Sequence, residues 1–340
     1  MITIVELAKL AGVSDATVSM VLSGKDRGRV SASRRQQIRD LARKHGYRSN
    51  PAARALATGR TNRIGLCIAG TITSHALIGE FSLHVRLDLF AERLQRAGYA
   101  IEIIQVDPQH SPEELSRDLA QRAVDGLVFL NWPREILEKP LFSLKERGVP
   151  AVASGTILND DSFTWTEVDE PAAFDAAVRQ LAGEGRTRIA LVDTVVGIRT
   201  AGVERSFKTA MRRHAGCLAR EALIVHPEPL NYETVQQATR DLLRRQPDLQ
   251  GIILTDNFLA QGILNALLAE GRHPGADVRV IGHGDTVFAD RCSPKLSHYG
   301  LRIEEQVRLG ADALLAQIQN GAAYHPLHAM LPPEYIARET

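Results

Sequence analysis

From Arg63 onward, short apolar runs of strand type alternate with amphipathic helical stretches, a pattern that leaves few folds open. "RIGLCIAG" precedes a helix expected around Leu83 to Arg96, "AIEIIQV" precedes "PEELSRDLAQRA", and "GLVFL" precedes "EILEKPLFSLKERG", with "VPAVAS" following. A second series opens with "WTEVD". Its helices are expected over Pro171 to Ala182, Gly202 to His214, around Tyr232 to Arg245, and Phe258 to Glu270; "RIALVD", "ALIV" and "GIILT" separate them and "VRVIG" closes the set. Such alternation calls for parallel strands, because the chain must cross back over a sheet face before it can lay down the next one. Two series predict an α/β body of two lobes, each a doubly wound parallel sheet, with a ligand cleft at the carboxyl ends of the strands.

The first sixty residues differ. They hold twelve Lys and Arg against four acids, whereas the remainder holds 29 against 36, an asymmetry hidden in the net charge of +1. Such a segment is either a polyanion-binding arm on a mildly acidic body or a solvated charged face.

Local signals in this segment are specific. Thr3 and Glu6 have the spacing of a capping box, which predicts a helix from about Ile4 to Leu10. Ala11-Gly12-Val13 then permits a tight turn, and Ser14 can cap a second helix running to roughly Leu22. In that helix Val18, Val21 and Leu22 share one face, and Asp15, Ala16, Ser19 and Met20 share another. Small side chains suit an element that enters a major groove, where Thr17 and Ser19 could bond phosphates or bases and Ala16 and Met20 could touch a thymine methyl. Asp15 suits either a cytosine amine or, more simply, its own helix N-terminus. The loop "GKDRGR" adds Lys25, Arg27 and Arg29; Ser31 caps a third helix bearing Arg34, Arg35, Arg39, Arg43 and Lys44, a set fitted to salt-sensitive phosphate binding. In "NPAARALATGR", Asn50 can cap, Pro51 takes the first helical position and Gly59 can end a short helix. Leu56 in it is either a wedge for the minor groove or an exposed leucine of a plain linker.

The order of capped helix, "AGVSDATVSMVLSG", "RVSASRR", "HGYRSNPAARAL" and "RIGL" resembles the lactose/galactose repressor family of bacterial transcriptional regulators. That resemblance implies an N-terminal all-α helix-turn-helix DNA-binding domain over 1–49, a hinge helix and linker over 50–60, and a two-lobed periplasmic-binding-protein-like effector and dimerisation domain over 61–340. Lobe 1 is expected at about 61–159 and 291–320 and lobe 2 at about 160–290 and 321–340, with crossings near Asn159, Asp290 and Gly321. The positions matching family DNA contacts are Thr3, Ser14, Asp15, Ala16, Thr17, Ser19, Arg29, Ser31, Tyr47, Asn50 and Ala53, with Leu56 matching the intercalating leucine. Met20 stands where the family usually has an arginine.

The resemblance continues through "VDEPAAFDAAVRQLAGEGRTRIALV", "TDNFLAQGILNALLAEGRHPGADVRVIGHGD" and "LPPEYIARET". The cleft departs from the family pattern. Val203 aligns with a ligand-binding arginine, Ser206 replaces a glycine, Asp256-Asn257 reverses the usual order, Gly284 replaces an aspartate and leaves Asp285, and His283 replaces an aromatic. Candidate effector residues are Thr73, Ser74, Asp169, Arg199, Val203, Asp256, Asn257, His283 and Asp285, with Asp169 and Asp256 equally placed to cap the helices they precede. The family implies a small-molecule effector, a sugar or sugar derivative, of which a plain hexose is one possibility. It also implies a homodimer repressing from a near-palindromic double-stranded DNA operator. No leucine heptad follows at Thr340, so a dimer is expected rather than a tetramer.

Other classes fit poorly. No apolar run is long enough to span a bilayer, and "MITIVELAKL" lacks a cleavage motif, so a cytoplasmic protein without a membrane partner is expected. Cys67, Cys217 and Cys292 are few and widely spaced, as reduced thiols rather than a disulfide or metal set. "GEGRTR" follows a helix and lacks a third glycine, and neither a nucleophile elbow nor a phosphate-cradling loop is present, so neither catalysis nor a cofactor is expected. The alternative is a solute-binding protein or an enzyme on the same fold.

Overall fold

The computed structural model describes residues 2–22, 26, 28–47, 55, 59–69, 81–107, 110–193, 200–214, 223–284 and 287–340. The chain divides into two compact units, Met1–Asn62 and Arg63–Thr340.

The first unit contains α1 (Ile4–Ala11), α2 (Asp15–Leu22) and α3 (Ala32–Lys44). Thr3 and Glu6 form the expected capping box: the Glu6 amide donates to the Thr3 hydroxyl at 3.3 Å, and the Thr3 amide donates to Glu6 Oε2 at 2.8 Å. Gly12 ends α1 at φ 63°, a left-handed conformation that glycine adopts without the Cβ penalty. The helices meet through Leu7, Ala8, Ala11, Val18, Val21, Ile38 and Ala42, all buried.

In the second unit the strands form two six-stranded sheets. The first comprises β1 (Arg63–Ala69), β2 (Ala100–Val106), β3 (Gly126–Leu130), β4 (Ala151–Ser154), β5 (Thr164–Val168) and β11 (His328–Leu331), in the order β11-β5-β4-β3-β1-β2, with every pair parallel. The second comprises β6 (Ile189–Val192), β7 (Ile224–Val225), β8 (Gly251–Leu254), β9 (Arg279–His283), β10 (Ser297–Gly300) and β12 (Glu334–Ile336), in the order β12-β10-β9-β8-β6-β7. Only β12 is antiparallel to its neighbour.

Each sheet is buried on both faces, which explains the near-continuous apolar runs. In β3, Leu127 and Phe129 face one apolar cluster and Val128 and Leu130 the other; in β8, Ile252 and Leu254 face one and Ile253 the other. The body's helices include α4 (Phe81–Arg96), α5 (Pro112–Ala120), α6 (Arg134–Glu146), α7 (Glu170–Gly183), α8 (Thr200–His214), α9 (Tyr232–Arg245), α10 (Ala260–Ala269), α11 (Val287–Arg291) and α12 (Ile303–Asn320). Cys67 and Cys292 are free and buried, and burial pushes both thiols up, that of Cys292 to about 11. Cys217 lies outside the described residues.

The chain crosses between lobes at Asp169, at Leu301–Arg302 and at Pro332–Pro333. These positions correct the crossings expected near Asn159, Asp290 and Gly321, in each case by one strand. "WTEV" becomes β5, which pairs with β4 in the first sheet, and likewise β10 stays in the second sheet and β11 returns to the first. Polar bonds join the crossings: the Asp169 amide donates to the Leu331 carbonyl at 2.8 Å, and Arg302 Nη1 to the Pro332 carbonyl at 3.3 Å.

Phe90 of α4 is 0% exposed in the cluster beneath α12. Phe90→Ala is expected to destabilise the body by about 3–5 kcal/mol, read as a lower urea midpoint in equilibrium unfolding.

Candidate nucleic-acid interface and effector wall

The residues expected on DNA gather on and around α2. Ser14 caps the helix, its hydroxyl accepting the Thr17 amide at 3.2 Å and lying 2.9 Å from the Thr17 hydroxyl. Asp15 Oδ1 accepts the Ala16 amide at 2.8 Å, so its charge sits against the free N–H groups of its own helix. Val18 and Val21 are buried, Asp15, Ala16 and Ser19 are exposed, and Thr17 and Met20 are half-buried. The exposed surface of α2 is therefore a strip of short side chains. Thr3 and Ser31 cap α1 and α3, Arg29 is exposed, and Tyr47 packs half-buried on the unit's core. Asn50, Ala53 and Leu56 lie outside the described residues, as does Lys25.

Of the basic set on α3, Arg39 and Lys44 are exposed, and Arg43 is exposed and paired with Asp40. Arg34 instead donates to the Gly12 carbonyl, and Arg35 lies beside the Asp26 carboxylate, both within the unit. Counting charge in the sequence does not distinguish these two classes.

The carboxyl ends of the second sheet's strands collect a different set. Asp256 follows β8 and caps the short turn of helix over Asn257–Leu259, its Oδ1 accepting the Phe258 amide at 2.8 Å. Burial pushes its carboxyl up to about 6. Asn257 is fully buried, with Nδ2 donating to the Gly284 carbonyl at 2.7 Å. A Cβ at Gly282 would come within 1.9 Å of Asn257 Oδ1, so a side chain at 282 would displace the asparagine. His283, at the end of β9, is buried and stacked on Phe174 with ring centroids 5.6 Å apart. Asp169 caps α7 by accepting the Ala172 amide at 3.0 Å.

Two expectations are revised here. Val203 is 1% exposed in an apolar cluster with Phe207, Ala210 and Met211, because its face of α8 packs on the sheet; it belongs to the lobe's core rather than to a ligand wall. Asn257 braces the backbone of Gly284 instead of offering its amide to a ligand. Thr73, Ser74, Arg199 and Asp285 lie outside the described residues.

The same strand ends carry residues that sequence reading missed. Asp193 follows β6, is 2% exposed and accepts the Thr255 hydroxyl at 3.1 Å. His226, after β7, lies 3.7 Å from Asp193 and 3.2 Å from Glu204, which also pairs with Lys208 at 2.8 Å. The Lys208 bond and nearby charges hold the Glu204 carboxyl below its usual range. The available signal was positional: an acid placed directly after "IALV" falls at a strand's carboxyl end.

Among the described residues, a unit with three helices precedes a two-lobed parallel α/β body, the class in which a helical head of nucleic-acid-binding type is joined to a body of ligand-binding type. Residues 3–50 match the family described as bacterial regulatory proteins, lacI family, and residues 178–340 match the periplasmic binding protein-like domain. The chain is 29% identical over 346 residues to the HTH-type transcriptional regulator CelR of Thermobifida fusca, covering 99% of this chain and 98% of the relative. It is 26% identical over 300 residues to catabolite control protein A of Priestia megaterium, covering 87% and 86%. Among solved structures, a CelR–cellobiose complex superposes with a TM-score of 0.66 at 26% identity, covering 100% of this chain and 99% of that one. The lac repressor dimer bound to operator and an anti-inducer shares the fold, with a TM-score of 0.77 at 20% identity over 100% and 98% of the chains. Residues 3–50 thus carry the DNA-binding domain of the LacI family of bacterial regulatory proteins, and the relatives that match along the whole chain are transcriptional regulators and not enzymes.

Because its folded-state pKa lies above the ordinary aspartate value, Asp256 contributes stability that is present at low pH and lost as pH rises through about 6. Asp256→Asn, which keeps a capping side chain, is expected to raise the melting temperature at pH about 7.5 and to lose that advantage near pH 4. Paired thermal melts across this range check it.

Proposed function

We propose that the protein is a cytoplasmic repressor that binds a near-palindromic operator as a homodimer and is controlled by a sugar or sugar derivative bound between its lobes. The observation that carries the DNA reading is α2, whose exposed surface is Asp15, Ala16 and Ser19 and whose base is held by three buried helix contacts, Leu7, Val18 and Val21. An element with so little side-chain bulk can lie deep in a major groove. In a dimer two such helices occupy successive grooves, with Asn50, Ala53 and Leu56 serving the minor groove between them and Leu56 acting as the wedge.

The effector reading is supported by the polar set at the strand ends. Asp256 supplies a carboxylate of the kind that binds sugar hydroxyls, with the hydrogen-bonded Asp193 and Thr255 beside it at the ends of neighbouring strands. Asp169, Arg199, Thr73, Ser74 and Asp285 complete the candidate set. Cellobiose, bound by a relative in a solved structure, is the natural first ligand to test. Effector binding would act by favouring one arrangement of the lobes, a coupling of about 1–3 kcal/mol between the two sites.

Titrating the purified protein against a genomic fragment library at fixed salt is expected to recover a near-palindrome with a flexible central step, and cellobiose or a related saccharide is expected to change its affinity. Recovery of no preferred duplex, with or without saccharides, would reject the repressor reading. Leu56→Ala is expected to weaken operator binding roughly tenfold or more while leaving random-sequence binding nearly unchanged. Equal losses on both DNAs would remove the wedge.

A further inference from the structure

By charge alone, Arg34 and Arg35 belong with the DNA phosphates. Their guanidinium groups instead engage the two connections that flank α2. Arg34 Nη2 donates at 3.0 Å to the carbonyl of Gly12, the left-handed residue that turns the chain from α1 towards α2. Arg35 Nε lies 3.5 Å from Oδ2 of Asp26, in the connection from α2 to α3.

Asp26 is the single acid between Leu22 and Ala32, within a run that holds Lys25, Arg27 and Arg29. It is nonetheless 4% exposed, while Arg29 is exposed. Its carbonyl accepts the Arg29 amide at 2.7 Å and closes a turn whose third residue, Gly28, has φ 78°. Glycine adopts that left-handed conformation without a Cβ penalty.

The pair returns little net stability, because the Asp26 carboxylate is withdrawn from water while the Arg35 side chain stays 36% exposed and screened, at a separation longer than a good hydrogen bond. Its clear effect is geometric: the carboxylate ties the turn to the first part of α3 and leaves Arg29 projecting.

We propose that Asp26 is a positioning residue for DNA binding. Held and neutralised by Arg35, it fixes the Asp26–Arg29 turn so that the Arg29 guanidinium meets a backbone phosphate, while Arg34 sets the turn before α2. The proposal rests on the DNA-binding reading above. It divides the basic set by role: Arg29 neutralises a phosphate, and Arg34 and Arg35 orient the elements that do so.

The test measures operator affinity of the full chain across a salt series, using the duplex recovered from the genomic library. Arg29→Ala is expected to lower the slope of log affinity against log salt by about 0.9, the value for one lost phosphate contact. Asp26→Asn is expected to do the same, and the double variant to bind no more weakly than Arg29→Ala alone. Arg35→Lys should keep the wild-type slope and Arg35→Ala should lose it. An unchanged slope in Asp26→Asn, or a loss that adds in full to that of Arg29→Ala, would reduce Asp26 to a structural residue even if the melting temperature fell. Should Asp26→Asn lose its helical circular dichroism, the Arg35 pair decides: equal losses in Arg35→Lys and Arg35→Ala overturn the proposal. A steep wild-type slope untouched by Arg29→Ala would overturn it while leaving the DNA reading standing, whereas a wild-type protein that binds no duplex would remove both.

Discussion

Parallel strand pairing is the constraint on which the body depends. A parallel strand cannot be reached by a tight turn, so each addition to a sheet brings a crossover that covers one of its faces. Both faces of each sheet are thus covered, and the strands are apolar on both sides, as Leu127 and Val128 or Ile252 and Ile253 show. Polar residues are driven to the strand ends. Asp193, Thr255, Asp256 and His283 stand together there because β6, β8 and β9 are neighbours that run in the same direction. The position of this polar set, the candidate effector wall, follows from the pairing rule and not from any motif.

Much of this was legible locally. The helix expected around Tyr232 to Arg245 is observed over Tyr232–Arg245, where the Asn231 side chain caps it. The capping box at Thr3, the turn at Gly12 and the caps at Ser14 and Ser31 were equally plain, since a cap is a contact between residues a few positions apart. What escaped was non-local. "WTEV" has the look of a strand but carries no mark of which sheet it joins, so each crossing was placed one strand early. Val203 was judged by alignment to a polar position, and only packing against Phe207 and Met211 reveals it as core. In the head, Arg34 and Arg39 are indistinguishable as letters; the distance from Arg34 to Gly12 separates them.

The head and the body use charge differently. In the head, exposed cations are kept for a polyanion and the acids sit at helix termini or beside arginines: Glu6 and Asp15 cap, while Asp26 and Asp40 pair. In the second lobe, acids at the strand ends are partly or wholly withdrawn from water, which makes them demanding of partners and selective about what satisfies them. On the proposed function, the first surface discriminates through a narrow strip of short side chains and the second through the polar groups at its strand ends.

The three crossings have a consequence for biosynthesis. No contiguous stretch encodes either lobe, and the first sheet acquires β11 and the second β12 only when residues 328–336 have left the ribosome. The three-helix head is complete within the first residues to emerge, so at ordinary elongation rates it exists as a folded unit for some tens of seconds before either sheet can close. During translation, then, the helical head is ready first and the two lobes last, so on the proposed function a nascent chain would present its DNA-binding surface before its effector site exists.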